Sequence, residues 1–348
     1  MIPRLFSLPV LAIVALASLL VGACSGETVA KPPPAPVDWQ SFARPPADAG
    51  TNAPTAKEST VAQQYGDALA SPGFALLGHL LQEDAHFTFP ASGLDDVQGR
   101  DAVVQATATL FGAFDSRRVV GRRLLRTPST QSLEWTMAGV QARDWMGVAA
   151  TRKPVVIEGI ALLTTKDDGT LTDIHLYFDV AAVKAQLGAG PHELEGLPAP
   201  AMPVARGEEI DRAAEQADNA ATVRTALNAL ENNSESAYVA SMADEIEVHT
   251  LDRAEPARGK EEQRAYFKAM HKAIAQLDTT IDDSFSAGSF AVVEYSITGE
   301  QLAPIGWVPL ERNRVVKLHV VDVAEVENAK IARIWRYDNP SEMATPGP

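Results

Sequence analysis

The sequence predicts an α+β protein made of two tandem copies of one domain, and three observations predict it. Helical stretches come first and strand-length apolar runs follow, the order expected when helices pack on one face of a bent sheet. Turn-like clusters such as Thr127-Pro128-Ser129 and Asp167-Asp168-Gly169 separate those runs. The chain also repeats itself. A shift of 160 residues, from 134 to 294, aligns Glu134-Trp135-Thr136-Met137-Ala138-Gly139 with Glu294-Tyr295-Ser296-Ile297-Thr298-Gly299. The same shift brings together Asp84 with Asp244, Gly99 with Gly259, Gln141 with Gln301, and Ile174 and Tyr177 with Ile334 and Tyr337. A period this long is a duplicated domain, since solenoid repeats are shorter.

From the N-terminus, Arg4 precedes an apolar run, Leu5 to Val21, and Val21-Gly22-Ala23 leads to Cys24. That order reads as a secretory signal over residues 1–23. The small residues before Cys24 resemble a bacterial lipobox, which implies cleavage there, acylation of Cys24, and export to the cell envelope on a lipid anchor. Ser25 resembles the pattern that directs such proteins to an outer membrane. Residues 24–56 carry Pro32 to Pro34, Pro36, Pro45, Pro46 and Pro54, a composition that buries no core and serves as an extended tether.

Domain 1, residues 57–189, begins with a helix over Ser59–Ala70, broken at Ser71-Pro72-Gly73 and resumed over Phe74–Gln82. A short strand, Ala85–Phe89, and a helix opened by Gly99-Arg100-Asp101 and running to Phe114 come next. Strands follow over Val119–Leu125, Ser132–Gln141, Pro154–Thr164 and Leu171–Phe178, then a last helix, Val180–Leu187. A linker, 190–207, holds Pro191, Pro198, Pro200 and Pro203. The second copy spans 208–340 and a tail ends the chain at 348.

Composition excludes several functions. With 46% apolar and 22% charged residues in 348, the chain can fill two ordinary cores. A net charge of −15 opposes nucleic acid, which is held by clustered Lys and Arg. The single cysteine gives no disulfide framework and no thiolate metal site, and the seven histidines lack metal-ligand spacing, so no metal is expected. Phosphate loops, dinucleotide fingerprints, nucleophile elbows and H-E-x-x-H pairs are missing from the sequence, so no cofactor is expected either.

Four features share one spacing: the run from Met146-Gly147 to Lys153, the pair Glu158-Gly159, the turn Asp168-Gly169, and the closing stretch from Asp179 to Gln186-Leu187-Gly188. Together they resemble the C-terminal half of a SnoaL-like domain in the NTF2-like superfamily. The resemblance implies two NTF2-like cones, each with N-terminal helices packed on a curved antiparallel sheet around a pocket. It also implies that a carboxylate near the last strand acts as acid or base, which places Asp179 and His175 as catalytic candidates. NTF2-like domains commonly pair, so pairing within the chain or as a homodimer is expected too.

Successive strand residues face opposite sides, so Asp173, His175, Tyr177 and Asp179 share one face of their strand. Asp179 is equally placed to cap the helix Val180–Leu187. Glu158 sits in an apolar run, where it either reaches a pocket with a raised pKa or points to solvent from an edge. Trp135, Met137 and Gln141 share a face as pocket wall, Asp144 and Trp145 stand at a pocket mouth, and His86 is a further candidate. Gln141 occupies a position that often bears His in the family, and it cannot take up a proton. At the same shift Glu158 corresponds to Leu318, His175 to Trp335 and Asp179 to Asn339; His249, His319, Tyr337 and Asp338 remain as polar groups in the second copy. The reading is a lipid-anchored protein holding a small, largely apolar molecule in the domain 1 pocket. Two alternatives stay open: a cofactor-free cyclase or isomerase with Asp179, His175 and Glu158, and a structural module of two paired domains.

Overall fold

The computed structural model describes residues 59–90, 94–203, 206–207, 209–211, 218–311 and 314–344. Cys24, the signal segment and the tether lie outside the described residues.

Domain 1 opens with α1 (Val61–Ala70), started by a capping box in which Thr60 and Gln63 satisfy each other's backbone N–H groups. Pro72 begins a single 3-10 turn before α2 (Ala75–Leu80). Then come β1 (Leu81–Phe89), β2 (Leu94–Gln98) and α3 (Arg100–Phe111). Strands β3 (Phe114–Arg126), β4 (Thr130–Gln141), β5 (Pro154–Thr165) and β6 (Leu171–Tyr177) form the body of the sheet, and α4 (Val180–Leu187) closes the domain. Just past the linker, β7 (Glu209–Asp211) pairs parallel with the edge of β3.

Domain 2 repeats the plan with α5 (Asn219–Glu231), α6 (Glu235–Ala240), β8 (Met242–His249), β9 (Ala257–Arg258), α7 (Gly259–Ala273), β10 (Ile274–Ala287), β11 (Phe290–Gln301), β12 (Val315–Glu327) and β13 (Lys330–Asp338). The strand orders correspond: β2-β1-β6-β5-β4-β3-β7 in one sheet, and β9-β8-β13-β12-β11-β10 in the other. Bulges recur at matching places, between Gly121 and Arg123 and between Ile281 and Asp283.

Two expectations need correction. The sheets are mixed, because β1 pairs parallel with β6, and β8 with β13; the last strand of each domain comes back to lie beside the first, which alternation alone does not reveal. The repeat is also not gapless. Thr136 faces Glu158 across β4 and β5 while Ser296 faces His319 across β11 and β12, so the structural counterpart of Glu158 is His319, not Leu318. One residue is added in the loop before β12, and the shorter turn between β12 and β13 takes it back, since Ile160 faces Tyr177 and Val321 faces Tyr337.

The family-like residues turn out to be structural. Met146 and Gly147, both with positive φ, make the tight turn closed by paired hydrogen bonds between Trp145 and Val148. Gly159 lets the sheet pass beneath Trp135: a Cβ there would lie 2.5 Å from the Tyr177 carbonyl and 2.6 Å from the indole.

The two sheets pack outer face to outer face. Leu125, Ile160, Leu162 and Tyr177 from domain 1 interlock with Phe285, Ala287, Val292, Val321, Val323 and Tyr337 from domain 2. Pseudo-twofold symmetry makes the polar contacts reciprocal. Tyr177 donates its hydroxyl to Glu294 at 2.6 Å, and Tyr337 donates to Glu134, also at 2.6 Å. An isologous contact between two identical folds produces this i-to-j, j-to-i pattern.

Candidate functional site

In domain 1 the cone is closed by aromatic rings. Phe89 stacks on Phe178 at 4.7 Å, and Phe111 meets both Phe178 and the edge of Trp135 at 5.7 Å. Trp135 and Phe178 lie 6.2 Å apart, and Met137 and Trp145 are buried in the same cluster. Gln141 is also fully buried, but it works as a clamp: its amide N–H group donates to Val148 and Ala149, and its carbonyl accepts from the Thr151 backbone and hydroxyl. Gln301 clamps the matching loop through Ala303, Pro309 and Glu311. Asp144 accepts from the Ala150 backbone and fixes the same turn, and Trp145 donates to the Leu110 carbonyl at 2.7 Å.

The row on β6 is therefore corrected. The alternation is as read, but Ile174, Leu176 and Phe178 fill the cone, so Asp173, His175 and Tyr177 point out of it. Period-two alternation says which residues travel together, not which face is concave. His175 Nδ1 lies 2.7 Å from Glu294. Burial lowers its pKa, yet the hydrogen bond and charge of Glu294, with Asp173 and Asp282, outweigh burial and leave it raised. His86 stands on this outer face beside Asp173 in the parallel register.

Glu158 and Asp179 meet elsewhere, in a cleft of about 490 Å³ between the domains, walled by Arg122, His249, Arg253, Trp335, Tyr337 and the linker from Leu194 to Ala201. Arg122 ion-pairs with Glu158. Asp179 caps α4: its Oδ1 accepts from Ala181 at 2.7 Å and Ala182 at 3.1 Å. Its Oδ2 is buried without a partner among the described residues, and burial pushes the carboxyl up to about 6 against the pull of those two N–H groups.

Domain 2 is different inside. Its cone holds a cavity of about 630 Å³ between α7, the sheet and the turn at Pro304–Trp307. Thr88 stands beside His175 and His249 beside Trp335, so Phe89 matches Thr250; in the same way Phe178 matches Asp338. The shift pairs Trp135 with Tyr295 and Phe111 with His271. Each of the four rings that close domain 1 thus has a smaller or more polar counterpart. Apolar neighbours change likewise: Ala161 faces Leu176 in domain 1, where Asp322 faces Arg336 in domain 2.

These substitutions install a polar network in the cone. Arg336 grips Asp322 through two hydrogen bonds of 2.8 Å and donates a third to the Tyr266 hydroxyl; Tyr295 donates to Asp322 at 3.0 Å. Burial opposes the charge on Arg336, but Asp322 more than offsets it, and the pKa stands well above the ordinary value. Asp338 lines the cavity and its carboxyl makes no hydrogen bond among the described residues. Burial, with Asp252 and Asp179 adding repulsion, pushes its carboxyl up to about 8. Gln263, 3% exposed, also lines the cavity without a hydrogen bond. Thr250 Oγ1 and Trp307 Nε1 are buried and unpartnered there as well. At neutral pH such a site offers a protonated carboxyl that can donate to, or protonate, a bound group. Sequence reasoning kept Asp338 as a leftover polar group; comparing the two copies position by position, with the register known, is the signal that singles it out.

The comparisons with known proteins fall on the same two halves. Residues 59–187 match the family described as SnoaL-like polyketide cyclase, and residues 223–334 match the family described as SnoaL-like domain. Among solved structures, the chain is similar to a putative SnoaL-like polyketide cyclase from Jannaschia sp. CCS1, at 15% identity, over 39% of this chain and 99% of that one, with a TM-score of 0.35. It is similar to a putative polyketide cyclase from Silicibacter sp. TM1040, at 19% identity over 38% and 96%, TM-score 0.33. A third is an LEH-like epoxide hydrolase from M. tuberculosis, at 18% identity over 36% and 85%, TM-score 0.30. No curated protein matches the chain.

Proposed function

The chain belongs to the SnoaL-like family through two tandem domains, and on that premise we propose that domain 2 holds a small, largely apolar molecule while domain 1 serves as its structural partner. The cavity of about 630 Å³ in the cone, with the side chains of Asp338 and Gln263 unpartnered in it among the described residues, carries this reading. Buried polar groups are nearly always hydrogen-bonded, so several unpaired ones around an apolar space point to a guest that completes them. The cavity size suits a molecule of drug-like dimensions. This moves the binding role expected of domain 1 to the second copy.

Acid/base catalysis is a second reading, favoured by the raised pKa of Asp338, which places its titration close to neutral pH. In that case Asp338 protonates or deprotonates the guest and the Arg336–Asp322 pair holds the surrounding side chains in place. Export and attachment to a membrane through acylated Cys24 complete the proposal; replacing Cys24 with Ser should release the protein into the soluble fraction, and continued membrane association would end that part.

A plug variant tests the binding reading. Thr250→Phe puts into domain 2 the residue that helps close domain 1. In a thermal-shift panel of small apolar molecules, wild type should gain stability as RT ln(1 + [L]/Kd) for those that bind, and the variant should gain none. Ligands that stabilise both proteins equally would show that the cavity is not the site.

A further inference from the structure

The charges around the domain 2 cavity are unbalanced in one direction. Arg336 is committed to Asp322 in a two-bond contact. Arg253, at the exposed rim, lies 3.7 Å from Glu262. Asp338 and Asp252 line the same cavity and have neither a hydrogen bond nor an ion pair among the described residues. A third carboxyl, Asp179, approaches from the adjoining interdomain cleft with its Oδ2 unpartnered, and the two spaces share Thr250, Arg253 and Arg336 as walls. Arg336 also pulls on Asp338, but it is shared with Asp322 and its pull is outweighed there, so negative charge is in excess around these three carboxyls.

A second observation, independent of the acids, points to a ligand at this place. Gln263 is 3% exposed and lines the cavity, and its side chain makes no hydrogen bond among the described residues. Its counterpart at the 160-residue shift is Val103, fully buried in the packed cone of domain 1. An amide buried where an apolar side chain fits is costly unless something in the cavity bonds to it. Its amide can accept as well as donate, and Trp307 Nε1 supplies a further donor; ionised Asp338 and Asp252 add acceptors that carry charge, so it is the charge of the set that calls for a cationic donor.

We propose that the guest of the domain 2 cavity is a protonated aliphatic amine, its ammonium group seated between Asp338 and Asp252 beside the Gln263 carbonyl, and its hydrocarbon part lying along Met270, Ile274, Ile297 and Leu318. The proposal rests on the binding reading above and names the chemical class of that ligand. Burial first, and then repulsion from Asp252 and Asp179, raises the pKa of Asp338, and an ammonium ion beside it offsets both. Binding then ionises Asp338, so one proton leaves as one cation enters. Linkage requires the affinity for an amine to fall about tenfold for each pH unit below 8, and the affinity for a neutral analogue to stay level.

Isothermal titration of the full chain with 4-phenylbutylamine, 4-phenylbutanol and 4-phenylbutyrate at pH 6, 7 and 8 tests this, with heats measured in two buffers of different ionisation enthalpy to count protons. The amine should bind tightest, by about tenfold over the alcohol at pH 8, with release of close to one proton at pH 6. Asp338→Asn should remove the proton release and the pH slope while the variant melts cooperatively; Asp252→Asn should weaken the amine alone. If the alcohol or the carboxylate binds as tightly as the amine, and Thr250→Phe abolishes that binding, the cation claim fails and the cavity reading stands. If none of the three binds at millimolar concentration, both fail.

Discussion

Asp338→Asn is the substitution whose effect on stability can be worked out most fully. The folded carboxyl titrates at about 8 against an ordinary value of 3.8. A carboxyl whose folded pKa is raised holds its proton more tightly in the fold than in the unfolded chain. Its contribution is therefore complete below pH 3.8 and is lost as pH rises toward 8. Each pH unit in that window removes ~1.4 kcal/mol, so wild type should lose ~4 kcal/mol from this group between pH 5 and pH 8. Asparagine keeps the shape and does not titrate. Asp179, raised to about 6, contributes the same sign in both proteins and cancels in the difference, apart from its coupling to Asp338. Urea unfolding of both proteins at pH 5, 6, 7 and 8 should show the variant gaining on wild type with every step. A constant difference across that range would mean that Asp338 is hydrated or paired, and the account of an empty, unbalanced cavity would fall with it.

Other substitutions probe the frame around the site. Tyr337→Phe takes a hydrogen bond from the buried carboxylate of Glu134 and should cost about 1.5–3 kcal/mol by thermal denaturation; Tyr177→Phe should cost less, because His175 still reaches Glu294. Asp322→Asn leaves the Arg336 guanidinium buried without its counter-charge and should cost about 3–5 kcal/mol, more than either tyrosine. An Asp322 variant as stable as wild type would place Arg336 in contact with water. For His175, whose pKa is raised, the stabilisation is present below the ordinary histidine value and is lost as pH rises through the folded one. His175→Gln should accordingly destabilise at pH 6 more than at pH 9, and equal losses at both would assign its role to packing.

Much of the fold was legible because it rests on local chemistry. The Ser71-Pro72-Gly73 break and the Asp179 cap each act within a few residues of themselves. The duplication was legible from one repeated run of strand residues. What escaped was long-range. Strand alternation put His175 and Tyr177 on one face, yet whether that face is concave depends on where α3 and the other strands pack. The single-residue slip between β5 and β12 hid the match of Glu158 with His319. The domain 2 cavity was missed for a related reason. Counting ionisable groups favoured domain 1, whereas a cavity depends on volume: Phe89, Phe111, Trp135 and Phe178 fill one cone, while Thr250 and Asp338, the counterparts of Phe89 and Phe178, line the space in the other.

The central claim is that one cone is full and the other has room for a guest, and xenon under pressure tests it without any assumption about the ligand, because xenon enters apolar cavities. In a crystal of the protein held under xenon, the account predicts a bound atom among Met270, Ile274, Ile297 and Leu318 and none among Phe89, Phe111, Trp135 and Phe178. Xenon within the domain 1 cluster, with the domain 2 cone unoccupied, would contradict it.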